Sequence, residues 1–134
     1  MKIDVDKQVD YWISTASGDF DTAKSILKSG KNLHYSLFFC HLTIEKYLKA
    51  LVVKRKKVLP PRTHDLELLA DKAKLELAED KLDFLTEMTG FNLEARYPDE
   101  KFEIYKKATP MLTQKYFKLT SEFIKWLKDI IEQS

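Results

Sequence analysis

Residues 39–51 constrain the fold more than any other part of this chain. In a helix that turns about 100° per residue, Leu37, Cys40, Ile44, Tyr47, Leu48 and Leu51 fall on one side. Phe38, Leu42 and Val52 widen that arc well past the roughly 100° stripe of an ordinary surface helix. Such a helix is central and needs neighbours on most sides. Within the arc, between Phe38 and Leu48, stand His41 and Glu45, one turn apart. A buried carboxylate without partners costs several kcal/mol. Glu45 therefore requires either a partner, as in a structural hydrogen bond between helices, or a cleft to line.

The surroundings of this helix are helical too. The chain has three glycines and four prolines in 134 residues, too few turn formers for an all-β fold. Its length suits one domain, residues 1–134, with a single core. Aromatic and aliphatic residues are plentiful beside the charged ones, which marks a folded chain and not a disordered one. A net charge of +2 makes no demand for nucleic acid, but the charge is unevenly spread. Lys46, Lys49, Lys54, Arg55, Lys56, Lys57 and Arg62 follow one another without an acid, and acids dominate residues 63–103. A basic patch against an acidic one suits self-association or an acidic ligand. Residues 54–57 have a plainer use, satisfying carbonyls at a helix end. Cys40, the single cysteine, lies on the most apolar face and behaves as a small hydrophobe. The start is charged, without a signal-peptide core, and no apolar run approaches the ~20 residues of a membrane span. These features predict a cytoplasmic protein with no membrane contact.

Three-and-four spacing of Val9, Trp12, Ile13, Ala16, Phe20, Ala23 and Leu27 predicts a first helix over about 7–29, stopped by Gly30 in a left-handed turn. The second spans about 35–57. Pro60 and Pro61 break it, and Thr63 reads as the cap of a short third helix reaching about 74. A fourth covers 79–89, with Leu82, Leu85 and Met88 inward. Residues 92–101 read as a loop held open by Tyr97, Pro98 and Asp99. Thr109 and Pro110 start a last helix to about 132, with a stripe of Leu112, Tyr116, Leu119, Phe123, Trp126, Leu127 and Ile130. Three long helices and two short ones predict an all-α, antiparallel up-and-down bundle. Helix 35–57 is too apolar for so few helices to cover, which predicts a symmetric dimer.

Several chemistries are unsupported. No glutamate has a histidine three residues later, as a ferritin-like metal site requires. His34 and His41 share a stripe, but two histidines and one glutamate make a thin site, so no metal and no cofactor is expected. Phosphate-binding glycine loops are missing. Cys40 and His41 are adjacent and point about 100° apart, which rules out a cysteine–histidine nucleophile. What remains is a set of polar residues at element ends. Arg96 is the natural counter-ion for Glu45, because a guanidinium pairs a partly buried carboxylate bidentately; the other use of Arg96 is to face a phosphate. Lys49 and His64 are the alternative partners of Glu45. His64 otherwise caps and packs the third helix beside Asp65, and Tyr97 plugs the core beneath the loop. The candidate nucleotide or partner cleft is therefore His41, Glu45, Lys49, His64, Asp65, Arg96, Tyr97 and Asp99, with no catalytic residue among them.

Taken in order, these residues resemble the HEPN domain, a family of small helical proteins often encoded beside minimal nucleotidyltransferases. The parts are Trp12, Ala16, Asp19 and Ala23; His41, Glu45, Lys46, Leu48, Lys49 and Ala50; Pro61, Thr63, His64, Asp65 and Leu66; and Ala95, Arg96, Tyr97, Pro98 and Asp99. The resemblance spans nearly the whole chain. It implies an up-and-down bundle of about five helices that pairs as a homodimer and acts among nucleotides and RNA. Some members are ribonucleases that use an arginine followed after four to six residues by a histidine at a dimer cleft. Others serve as nucleotide-binding or partner subunits of the nucleotidyltransferase. After Arg96 the required positions hold Lys101, Phe102 and Glu103, and neither Arg55 nor Arg62 does better. The expectation is a dimeric, non-catalytic binding module that partners a minimal nucleotidyltransferase and binds a nucleotide. The alternatives are a ribonuclease toxin of a toxin–antitoxin pair, with His64 or His41 as a displaced histidine, and a structural dimer with no ligand.

Overall fold

A computed structural model describes residues 2–134; Met1, part of the charged start, lies outside them. The described residues form six α-helices and one 3-10 turn, with no strand. They are α1 (Val5–Ser29), α2 (Leu33–Lys56), α3 (Leu66–Lys72), α4 (Glu79–Thr89), α5 (Pro98–Lys107) and α6 (Pro110–Gln133); the 3-10 turn is Leu93–Ala95. The result is an all-helical bundle of three long and three short helices, one more than the sequence suggests. No helix among the described residues is long and apolar enough to cross a membrane.

α2 is the central element. α1 packs along it, α6 lies against its other side, and α3, α4 and α5 cover the rest. Leu37, Cys40, Ile44, Leu48, Ala50, Leu51 and Val53 are wholly buried. Small residues let the first pair approach closely. Ala16 and Ala23 of α1 are 0% exposed, and the Ser36 hydroxyl of α2 donates to the Ala23 carbonyl at 2.8 Å. Phe20 stacks on Phe117 and ties α1 to α6. Within one chain, α2 is therefore already covered, because the short helices seal the faces that two long neighbours leave open. The argument for a dimer from an uncovered α2 does not hold.

Several local expectations are corrected. Residues 92–101 are not an open loop. Asn92 accepts from the Glu94 amide and starts the 3-10 turn, and Pro98 takes the first position of α5, where its missing N–H costs nothing. The cap of α3 is Asp65, which accepts from the amides of Glu67 and Leu68; Thr63 instead accepts from Asp65 N–H. Leu82 is 41% exposed, so α4 buries only Leu85 and Met88. Tyr97 is 75% exposed and plugs nothing. Arg55 does not serve its own helix end: it donates to the Ala73 and Lys74 carbonyls, closing α3. At the end of α1, Gly30 adopts φ 70°, as its sequence position predicts.

Two glycines give a paired test. A Cβ meets nothing within 4 Å at either Gly18 or Gly30, but only Gly30 has a positive φ. Gly30→Ala should lose about 1 kcal/mol through backbone strain. Gly18→Ala, inside α1, should gain roughly 0.5–1 kcal/mol. Urea unfolding of both variants checks the opposite signs.

Candidate functional site

The site is built around a carboxylate that the apolar arc of α2 carries into the interior. Glu45 is 3% exposed, His41 is 0% and Lys49 is 8%. All three project from α2 at helical spacing, so one stripe carries a histidine, an acid and a lysine. The fourth member comes from the proline-bearing link before α3. Pro60 and Pro61 stop α2 from continuing, the Thr63 amide donates to the Pro61 carbonyl, and Asp65 fixes the start of α3. Between those anchors the link lays His64 over Glu45.

The contacts are short. His64 Nδ1 lies 2.8 Å from Glu45 Oε1, and Lys49 Nζ donates to Oε2 at 3.1 Å. His41 Nε2 is 3.3 Å from Oε1. His41 Nδ1 lies 3.0 Å from the Met88 carbonyl, which can only accept, so that nitrogen carries a proton. His64 Nε2 is 3.7 Å from Glu94 Oε2 on the 3-10 turn. The Lys49 ammonium also sits 5.2 Å from the centre of the Trp12 ring, which brings α1 into the cluster. Burial pushes the Glu45 carboxyl up. Hydrogen bonds from His41 and His64 and the charge of Lys49 outweigh that and hold it at about 2.

Of the candidate residues, the structure joins His41, Glu45, Lys49 and His64. Arg96 does not reach Glu45. Its Nη1 pairs with Glu100 Oε2 at 3.3 Å, one turn on, while Glu100 Oε1 accepts from the Tyr97 amide. Helix formation after Pro98 explains the difference, because it brings Glu100 back over the chain where an open loop would have left Arg96 free. Lys49, one of the two alternative partners, is buried beside it. Asp65 is spent on capping, and Asp99 sits exposed in the first turn of α5. His64 does not cap α3. His34 does not join His41; it packs against Tyr35 and Tyr105. Sequence reasoning missed Glu94, whose only signal is its place two residues before Arg96. It also left Lys46 and Asp19 unpaired, although they form a 2.6 Å bridge between α2 and α1. Cys40 is inert as a nucleophile: burial pushes its thiol up to about 12.

The two ion pairs differ in burial, so they should differ in worth. Lys49→Met removes a buried partner and should lose roughly 3 kcal/mol. Arg96→Ala breaks a partly exposed pair across the start of α5 and should change stability by less than about 1 kcal/mol. Thermal melts of the two variants give the comparison; equal losses would mean that Arg96 has a buried partner after all.

Comparison with curated proteins and with solved structures returned no match. A family model described as the HEPN domain matches residues 9–130. That match takes in α2, His64, Glu94 and Arg96, and runs from the first turns of α1 to the last turn of α6. The chain belongs to the HEPN domain family.

Proposed function

We propose that this HEPN chain is a binding module without catalysis of its own: a homodimer that partners a minimal nucleotidyltransferase and binds a nucleotide. The observation that carries the reading is the state of Arg96. The positions that would supply a ribonuclease histidine hold Lys101, Phe102 and Glu103, all exposed on α5. The three histidines of the chain are occupied elsewhere. His41 is buried, His34 lies between aromatic rings, and His64 is held on Glu45. An arginine without an imidazole can hold a phosphate but supplies no general acid or base near neutral pH. The nucleotidyltransferase partnership draws its support from family membership.

The binding surface is the edge formed by α5 and the start of α2. Tyr35, Tyr97, Phe102 and Tyr105 are each about half exposed or more. His34, Tyr35, Leu93, Pro98, Lys101, Phe102 and Tyr105 line a groove of about 350 Å³ there. Rings left in solvent beside Arg96 and Lys101 suit both a second protein surface and a stacked base with its phosphate. The Glu45 cluster suits a phosphate less well, because its centre is a carboxylate.

Light scattering at micromolar concentration should give twice the chain mass, and Tyr97→Ser with Phe102→Ser should give a monomer. The purified protein should leave single-stranded RNA and transfer RNA intact. Cleavage that His64→Ala abolishes would replace this reading with the ribonuclease one. A wild-type monomer would remove the dimer.

A further inference from the structure

His41 presents an unresolved contact. Its Nδ1 proton is committed to the Met88 carbonyl, so in the neutral ring Nε2 carries a lone pair. That lone pair is buried, takes no hydrogen bond, and points at Glu45 Oε1 from 3.3 Å. Two electron-rich atoms hold that position only with a positive charge between them. The donor atoms of His41, Glu45 and His64 all lie within 4.8 Å of one another. We propose that these three side chains form a zinc site that straps the link before α3 onto α2.

Three features favour zinc over other bridges. Ligand atoms around tetrahedral zinc at about 2.0–2.1 Å are about 3.3–3.4 Å apart. The His41–Glu45 separation of 3.3 Å already has that spacing, and the His64–Glu45 separation of 2.8 Å opens to it by a small shift of His64. His64 is the member free to move, since 47% of its side chain is exposed. Each histidine also has an outer partner on its far nitrogen, Met88 O for His41 and Glu94 for His64. Such partners orient metal-binding imidazoles and fix the nitrogen that faces the ion. Two nitrogens and one oxygen suit zinc and disfavour magnesium and calcium, which take oxygen ligands. Lys49 stays on Oε2 and leaves Oε1 to the metal. The exposed side of His64 gives the ion access and leaves a fourth position for water.

The test uses the untagged full chain, stripped with a chelator and titrated with zinc alone in competition with a chromophoric chelator at neutral pH. One zinc per chain is expected, with His64→Ala binding at least about tenfold more weakly. His64 is half exposed, so this variant keeps its fold, which circular dichroism verifies. Cobalt in place of zinc should give the intense visible absorption of a four-coordinate ion, lost in His64→Ala. No binding, or equal binding by the wild type and His64→Ala, overturns the proposal and leaves a proton on His41 Nε2 as the bridge.

Discussion

The bundle depends on one buried carboxylate. Glu45 sits on the helix that every other helix touches, and only charge and hydrogen bonding can keep it there. Its partners come from different places: Lys49 and His41 from its own helix, His64 from the proline-bearing link. Trp12 and Glu94 form an outer ring. Satisfying Glu45 therefore also sets where α3 begins, how the 3-10 turn lies and what Trp12 of α1 faces. Buried networks of this kind are high-stakes, because a half-satisfied one is worse than an apolar core.

The α5 edge has the opposite character. Its large rings and its lysines are exposed, Arg96 is partly so, and its ion pairs are local. That division separates a structural interior from a surface free to meet partners. It also relocates the role of Arg96. As the partner of Glu45 it would have been a structural residue; paired with Glu100 at the start of α5, it belongs to the exposed edge.

The long helices were legible because periodicity and caps agree in them. Gly30, Thr109 and Pro110 mark ends that the structure keeps, and α4 falls on residues 79–89 as read. Residues 92–101 were misread because Tyr97, Pro98 and Asp99 suit a loop and a helix start equally; Glu100, which accepts from the Tyr97 amide, decides for the helix. Burial of Glu45 could be read from the arc of α2. The choice among its partners could not, since a link of extended residues can place His64 or Arg96 on it with equal ease. The covering of α2 was underestimated because three short helices each bury only a few residues, and their stripes are too brief to show a period. The cation-ready pairing of His41 with Glu45 was invisible for another reason: it depends on the Met88 carbonyl, a backbone atom 47 residues away.

The central claim is that His64 and Glu45 hold each other across the link. A double-mutant cycle with Glu45→Gln and His64→Ala, unfolded in urea with a chelator present, tests it without any metal contribution. The account predicts a coupling energy of roughly 1–3 kcal/mol. Additivity of the two changes, within about 0.3 kcal/mol, would contradict it.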